Sequence, residues 1–358
     1  MRTRLGIYQT NPGSRPYGLF ESRRRTLEFI RELSWDLLDI KPRLDNYRNK
    51  RNEYRVYEYD KNIHVIDVKG VKGYIAGEED LLVSNWWALF LGLIRDTNTG
   101  DVVQTDGSVL SLRSQTDVNN GAAYISYGTG TTPEGFTDNT LKSRSGSIST
   151  SITVGYMSDR VRITLSGTLT SAASELGIEQ SLFRTDNYAG TFLLGRRTGS
   201  WSANQAVAWY IDFLSPWVNQ VGSYMYGILM NADVTVTRID GVPFTARTSG
   251  DSQSGTAYLV ASSSSVTWSP SLYNIPNAFS LSNYMTDVLG TRYIRATFFH
   301  GLYSPANNIQ VNTIGLYFPT YDTNGNTQTV CLMVQPLSSP VTLYAGTNNL
   351  IVLRIVAM

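Results

Sequence analysis

The chain contains very few of the residues that usually carry chemistry. Among 358 residues there are one cysteine, Cys331, and two histidines, His64 and His300. A single cysteine excludes an intramolecular disulfide framework, and its apolar surroundings, TVCLMVQ, predict a small buried side chain. Neither histidine has another metal-ligating residue at a useful spacing. We therefore predict structural roles for both, because acid–base catalysis needs a positioned partner.

Excess charge and long apolar runs are also lacking. The 30 Lys and Arg residues nearly balance the 29 Asp and Glu residues, so the field of the whole chain does not favour nucleic acid or a membrane surface. The longest apolar run, Leu81–Ile94, is 14 residues long and is too short to cross a bilayer. It predicts a buried helix and no membrane span. The start of the chain, MRTRLGIYQTNPG, has no apolar h-region, so no signal peptide is expected.

Charge is unevenly distributed along the chain. Residues 1–60 hold 13 Lys and Arg against 9 Asp and Glu, whereas residues 251–358 hold three of each sign. Basic residues beside tyrosines in residues 1–60 could contact nucleic acid. The interleaved acidic residues argue against this, because phosphate binding needs unopposed positive charge. We expect a solvated or partner-docking surface there.

Residues 1–80 form a separate region in the sequence-based prediction. Gly and Pro residues within 1–20 predict an extended arm. Residues 21–40 have apolar residues at helical spacing and predict an amphipathic helix that stops near Pro42. The charged, tyrosine-rich segment that follows is a linker or a second, shorter helix, and it leads into the strand-like NIHVIDVKG. The apolar stripe of the predicted helix consists of Leu27, Ile30, Leu33, Leu37 and Leu38.

From about residue 81 the sequence indicates short strands separated by turns. Val161, Ile163, Leu165 and Leu169 alternate with polar residues, as expected for a half-buried antiparallel strand. Many similar segments are β-branched or aromatic and are bounded by Gly, Ser, Asn and Asp. The predicted fold class is therefore mainly β, with two tandem antiparallel, jelly-roll-like β-sandwich domains after the N-terminal arm and helix.

The second half of the sequence repeats the order of the first. Residues 81–96 are echoed by 214–233, residues 160–178 by 292–316, and residues 191–213 by 330–358. The repeat predicts a first sandwich domain over 81–213 and a second over 214–358, after a region of 1–80. Ser215 is predicted as the N-cap of the second helix, with Pro216 at its first position.

A glycine-rich stretch, YISYGTGTTPEGFTDNTL (Tyr124–Leu141), resembles a phosphate-binding loop at first sight. It has no Lys beside Ser or Thr, and Pro133 interrupts the position where a helix should continue. We predict a turn instead, in which Gly128 and Gly130 end the strand with positive φ. Asp138 is then predicted to cap a short turn through Leu141.

No catalytic, cofactor-binding or metal-binding residue is assigned from the sequence. The segments DTNTGD (Asp96–Asp101) and DTNGN (Asp322–Asn326) could offer oxygens to calcium, but both lack the glycine and glutamate positions of an EF-hand loop. Turns are favoured for both. The acidic GEED (Gly77–Asp80) precedes the apolar helix, whose N-terminus favours carboxylates. Because no Gly-x-Ser-x-Gly elbow or converging titratable groups are present, an enzyme is not predicted.

The motifs resemble a recurrent pattern in structural proteins of tailed-bacteriophage tails and baseplates. In that pattern an apolar helix, here NWWALFLGL, precedes a strand ending in Gly-x-Gly-Thr-x-x-Pro and an Asp/Thr-Leu turn. It closes with TIGLYF (Thr313–Phe318) and SPVTLYAGTNNLIVLRIVAM (Ser339–Met358). The resemblance covers about residues 80–358 in two copies. The first copy lacks the closing proline hairpin, and the second lacks the Gly-Thr-Gly turn.

The resemblance implies a non-enzymatic virion component of a tail, baseplate or connector, localised in the virion and without cofactors. We expect it to assemble as a homo-oligomeric ring, with copies of itself and other virion proteins as partners. Two alternatives stay open: a capsid or turret protein of the jelly-roll type, and a carbohydrate-binding module for host attachment.

Overall fold

The computed structural model describes residues 63–68, 71–75, 78–94, 101–111, 121–183, 189–248, 255–289 and 294–356. The predicted arm, amphipathic helix and linker before Ile63 lie outside these residues. Within them the chain forms 21 strands and two helices, so the mainly-β prediction is confirmed. No helix in these ranges is long and apolar enough to span a membrane.

The first half of the described chain begins with three strands, a helix and a hairpin. These are β1 (Ile63–Val68), β2 (Val71–Ile75), β3 (Glu78–Leu82), α1 (Ser84–Leu93), β4 (Asp101–Val103) and β5 (Val109–Ser111). Seven strands follow: β6 (Tyr124–Gly128), β7 (Arg144–Ser147), β8 (Ser151–Tyr156), β9 (Arg160–Thr168), β10 (Ala173–Phe183), β11 (Ala189–Trp201) and β12 (Ala206–Leu214).

The second half has the same sequence of elements. It begins with α2 (Asn219–Met230) and the hairpin of β13 (Val234–Thr237) and β14 (Pro243–Ala246). Seven strands again follow: β15 (Tyr258–Ser262), β16 (Phe279–Ser280), β17 (Ser282–Leu289), β18 (Ile294–Tyr303), β19 (Ile309–Tyr321), β20 (Thr327–Leu343) and β21 (Asn349–Val356).

Strand pairing repeats between the halves as well. The hairpins β4-β5 and β13-β14 are separate two-stranded sheets. The other strands of the first half form one sheet of order β7-β6-β10-β11-β3-β2-β12-β9-β8, except β1, which joins the second half. The second half has two sheets, β16-β15-β19-β20 and β1-β21-β18-β17. The neighbours β6-β10-β11 and β12-β9-β8 therefore recur as β15-β19-β20 and β21-β18-β17, all antiparallel. Two of the predicted sequence echoes fall on these strands, and the third falls on the helices α1 and α2.

Two local irregularities also occur at equivalent positions. Opposite Ile178 and Glu179 of β10, the strand β11 has one extra residue, Leu194. Opposite Leu316 and Tyr317 of β19, the strand β20 has one extra residue, Leu332. In each short hairpin an Asp-Gly turn places its glycine, Gly107 or Gly241, at a φ of 85° or 86°. Such details depend on the local backbone path, so they support the pairing of the two halves residue by residue.

The strands β1 to β3 connect the halves. β1 pairs in parallel with β21, β2 pairs antiparallel with β12, and β3 pairs with β11. The segment predicted as the end of a linker thus supplies strands to sheets of both halves. β3 spans the predicted boundary at residues 80 and 81, and β12 ends at Leu214. The division into 1–80, 81–213 and 214–358 stays a prediction.

One buried apolar cluster runs through both halves, and smaller clusters lie beside it. At the junction of the halves, Phe90 of α1 packs against Trp217 and Phe213, with ring centroids 5.1 Å and 5.9 Å apart. The side chains of Val161, Ile163, Leu165 and Leu169 are all buried, so the predicted alternation is confirmed. The apolar run at Leu81–Ile94 forms a buried helix from Ser84, while Leu81 and Leu82 belong to β3.

The predicted start of the second helix is wrong. α2 begins at Asn219, its N-cap is Val218 without a side-chain cap, and the Ser215–Pro216 peptide bond is cis. The reason is that the segment before the helix continues a sheet edge. Val218 donates its N–H to the Leu332 carbonyl, and Val334 donates to the Pro216 carbonyl, so the helical turns cannot begin at Ser215.

Candidate functional site

The glycine-rich stretch forms a loop that leaves β6 at Gly128 and enters β7 after Ser143. Beneath it lie two charged side chains, Glu175 of β10 and Arg196 of β11, and neither is exposed to solvent. Charged residues are almost never fully buried unless they are paired. The loop and these two residues therefore form the most distinctive polar cluster in the described part of the chain.

Glu175 binds the loop through its main chain. Its carboxylate accepts hydrogen bonds from the N–H groups of Ser143 (2.6 Å), Lys142 (3.0 Å) and Gly130 (3.2 Å). The same carboxylate accepts bonds from Nε and Nη2 of Arg196 at 3.1 Å and 3.0 Å. Both carboxylate oxygens are thus occupied by donors from within the protein.

Arg196 completes the network from the other side. It donates to the carbonyls of Thr132 (2.8 Å) and Pro133 (3.1 Å) and to Oδ2 of Asp138 (3.0 Å). Asp138 also accepts a bond from the Gly135 N–H (2.8 Å). The side chain of Lys142 forms an ion pair with the other oxygen of Asp138 at 2.7 Å. The planar guanidinium therefore joins the sheet to both ends of the Pro133 turn.

Two details of the predicted turn are corrected. Gly128 and Gly130 are not among the residues with positive φ; glycine is needed because the chain passes close to other atoms. A Cβ at Gly130 would lie 2.6 Å from Oε1 of Glu175, and one at Gly128 would collide with the Ser143 carbonyl. Asp138 closes the turn before it, through Gly135, rather than one that runs on to Leu141.

The network keeps both carboxylates ionised. Burial would raise the pKa of Glu175, but the N–H groups of Ser143 and Lys142 together with Arg196 outweigh it and lower that pKa below its ordinary value. For Asp138, burial is likewise outweighed by Lys142, Gly135 and Arg196, and the pKa is lowered. Neither group is suited to act as a general acid at neutral pH, because its proton is lost well below that pH.

The same contacts occupy backbone N–H groups that a phosphate would need in this loop. Phosphate-binding loops present free backbone N–H groups to the anion. Here the N–H groups of Gly130, Lys142 and Ser143 are already bound to Glu175. The geometry is that of an architectural turn held by an internal carboxylate.

Among its described residues, the second half has no buried ion pair at the equivalent place; there the hydroxyl of Thr313 donates to the Ser264 carbonyl in the loop after β15, at 2.8 Å. Strand register makes Thr313 equivalent to Glu175 and Val334 equivalent to Arg196. The loop after β15 covers an apolar cluster that includes Val260, Ile275 and Cys331. Cys331 is fully buried, as predicted, and burial raises the pKa of its thiol to about 12.

The predicted turn at Asp322–Asn326 is confirmed. The Asp322 carboxylate accepts hydrogen bonds from the N–H groups of Asn324 and Asn326, both at 2.8 Å, and from Nε2 of Gln328 at 3.2 Å. Gly325 adopts a φ of 83°. N–H donors of the protein therefore occupy the Asp322 carboxylate oxygens, which are the atoms that calcium would bind. Residues 96–100 of the other candidate segment lie outside the described residues.

The two histidines lie on the strands that flank β21, opposite consecutive residues of that strand. His64 lies in β1 in register with Ile351 of β21. His300 of β18 is buried and stacks on Phe298, with centroids 6.1 Å apart. Burial lowers the pKa of His300 to about 3, so it is neutral at pH 7. Within the residues that the structure covers, no group of three His, Cys, Asp or Glu side chains could hold a metal ion.

A second ion cluster lies on the first half, at β9 and β12. Asp212 is fully buried and accepts a two-pronged contact from Arg162 (2.6 Å and 2.6 Å) and one from Arg160 (2.9 Å). The guanidinium of Arg162 lies 4.6 Å from the centre of the Tyr210 ring. Asp212 is thus a strand residue whose charge is neutralised inside the protein.

Sequence reasoning missed Glu175, Arg196 and Asp212. Isolated charges within apolar strands, as in ELGIEQ and TFLLGRR, were the available signal, but such charges usually face solvent. Comparison with known proteins gives no further guide, since no protein-family model, no curated protein and no solved structure matches this chain.

Proposed function

We propose that this chain is a non-enzymatic structural protein of a virus particle, and that it forms a tail, baseplate or connector ring with copies of itself. The observation that carries the proposal is the glycine-rich loop GTGTTP at residues 128–133, the motif on which the resemblance to phage tail proteins depends. Its N–H groups and carbonyls are bound by Glu175 and Arg196, so the motif has an architectural role.

The finer architecture belongs to the same proposal. Each half would be a jelly-roll-like sandwich, in which the β6-β10-β11 layer faces the β12-β9-β8 layer. Contacts between β6 and β9 in the first half, and between β15 and β18 in the second, support this arrangement. A sandwich of this kind leaves strand edges that must be covered or paired.

Assembly would occur by surface burial. The end strands β7 and β8 of the large sheet, and β16 and β17 in the second half, each pair on one side only within the described sheets. Exposed aromatic and aliphatic side chains add apolar area for a partner. These side chains, each 42% to 53% exposed, are Val109, Tyr156, Met157, Val242, Tyr273 and Tyr344.

Immunogold labelling of virus particles tests the proposal. Particles are purified from a culture of the host in which the sequence occurs and labelled with an antibody against the purified chain. Label confined to one end of the particle, or to a neck between shell and tail, is expected. Label spread over the whole shell would replace the proposal with the capsid alternative, and absence of label from particles would overturn both.

A glycan array separates the host-attachment alternative. Purified chain should bind no glycan above background if its exposed tyrosines serve protein contacts. Specific binding that is lost in a Tyr156→Ala, Tyr273→Ala or Tyr344→Ala variant would instead favour a carbohydrate-binding module, because aromatic faces are the usual sugar-stacking surfaces.

A further inference from the structure

The two halves contact each other through equivalent elements. α1 packs on β11 and β4 of its own half and also on β18 of the second half. α2 packs on β20 and β13 of its own half and also on β9 and β8 of the first half. Since β9 and β18 occupy equivalent places, each helix lies against the same strand of the other half.

Two hydrogen bonds between the halves show the same reciprocity. Ala123, just before β6, donates its N–H to the carbonyl of Leu229 in α2 at 2.7 Å. Ala257, just before β15, donates its N–H to the carbonyl of Ile94 at the end of α1 at 3.0 Å. Residues related by the repeat thus exchange equivalent bonds, which is the property of a two-fold, isologous interface.

We infer that the two halves form an isologous pair about a pseudo-two-fold axis, in which each half supplies its apolar helix to a docking surface on the other half. The docking surface on the first half consists of β8 and β9, and that on the second half is centred on β18. The partner that each surface fits is therefore the helix of the other half of this chain. This inference does not depend on the proposed virion role.

Side-chain contacts on the first docking surface support a close fit. A Cβ added to Gly222 of α2 would collide with Cγ1 of Val161 in β9 and lie 2.9 Å from its Cβ. The hydroxyls of Tyr156 in β8 and Ser223 in α2 are 2.7 Å apart. Gln180 of β10 donates from Nε2 to the Ile228 carbonyl at 2.8 Å. The surface thus accepts the backbone of α2 at short range through glycine.

Two consequences follow from this arrangement. Neither half completes its core without the other, so the chain should unfold as one unit rather than as two independent domains. The pairing also uses the helices and the β9 and β18 faces of both halves. Contacts with further copies or with other proteins must therefore use the remaining strand edges and outer loops.

Urea unfolding of the full chain, followed by hydrogen exchange of individual peptides, tests the inference. The variant Gly222→Ala overpacks the surface between the halves. Gly227→Ala is a matched control on the same helix, because a Cβ there would meet Val234 and Thr248 of its own half. The third substitution, Val161→Ala, removes both γ-methyl groups of Val161, including the Cγ1 that opposes residue 222.

We expect Gly222→Ala to lower the urea midpoint of first-half peptides from β9 and of second-half peptides from β19 by the same amount. Val161→Ala should rescue Gly222→Ala in a double-mutant cycle: the unfolding equilibrium constant of the double variant should be about tenfold more favourable than the two single effects combined, a coupling typical of residues in contact. The combination of Val161→Ala with Gly227→Ala should be additive within about twofold. If Gly222→Ala alone is insoluble, recovery of folded chain by Val161→Ala gives the same answer.

The inference is overturned if Gly222→Ala shifts only second-half peptides while β9 keeps its original midpoint. Two separate unfolding transitions in the unsubstituted chain would overturn it as well. So would equal rescue of both glycine variants by Val161→Ala, or rescue of neither.

Discussion

Replacing Glu175 by threonine tests the network beneath the glycine-rich loop most sharply. Threonine is the residue at the equivalent position of the second half, Thr313, so the β-strand itself tolerates it. The change removes the carboxylate that binds Arg196 at 3.0 Å and 3.1 Å. It also removes the acceptor of three loop N–H groups, those of Gly130, Lys142 and Ser143.

The expected cost comes mainly from Arg196. Its side chain is fully buried, and removing one partner of a buried ion pair costs about 3–5 kcal/mol. Arg196 keeps Asp138 as a carboxylate partner at 3.0 Å, so the cost lies at the lower end of that range. Lys142 and Ser143 are exposed residues, so the loop can shift to hydrate their N–H groups. We therefore expect Glu175→Thr to lower the free energy of unfolding by about 3 kcal/mol.

The double variant Glu175→Thr with Arg196→Val reproduces the second half, in which Thr313 and Val334 occupy these positions. Both Glu175 and Arg196 are absent from this variant. Apolar replacement of a whole buried ion pair is often neutral for stability. We expect the double variant to be more stable than Glu175→Thr alone, while residues 128–143 exchange their amide hydrogens faster than in the unsubstituted chain.

Urea denaturation followed by tryptophan fluorescence, with hydrogen exchange for the loop, measures both quantities. A loss of less than about 1 kcal/mol for Glu175→Thr would refute the reasoning, because that is the value expected of an exposed ion pair. A double variant as unstable as the sum of its two single variants would also refute it.

Three further predictions concern pH, packing and the N-terminal arm. The pKa values of Glu175 and Asp138 are lowered in the folded chain. Their ionised forms therefore stabilise the fold at neutral pH, and this stabilisation is lost as the pH falls below about 4. Urea midpoints measured at decreasing pH should fall less steeply in Glu175→Thr than in the unsubstituted chain. Gly128→Ala forces a methyl group against the Ser143 carbonyl and should cost about 1–3 kcal/mol by overpacking, measured as a lower melting temperature; a change within error would contradict the close approach. Deleting residues 1–20 should leave the melting temperature unchanged and reduce the oligomer mass in light scattering, whereas an unchanged mass would count against a role for the arm in assembly.

Features with a local signal could be predicted from the sequence. β9 alternates because one of its faces is buried, and the alternation of Val161, Ile163 and Leu165 follows from the two-residue period of a strand. The turn at Asp322–Asn326 carries its own side-chain and glycine signals. The two-fold repeat was visible because equivalent helices and strands have similar apolar patterns.

Features that depend on distant contacts could not be predicted. Charged residues within strands are expected to face solvent. The sequence therefore does not indicate that Glu175 and Arg196 form a buried ion pair beneath a loop. The parallel pairing of β1 with β21 joins residues near 65 and 352. No local sequence pattern predicts the register between strands so far apart in the chain. The start of α2 was misplaced because the edge contacts of Pro216 and Val218 belong to the tertiary structure.

Sedimentation equilibrium of the purified chain, from micromolar to several hundred micromolar, tests most directly whether this protein functions by self-assembly. We expect the chain to associate into a closed species whose mass is a whole-number multiple of 39.8 kDa. A single species of 39.8 kDa at every concentration would contradict it.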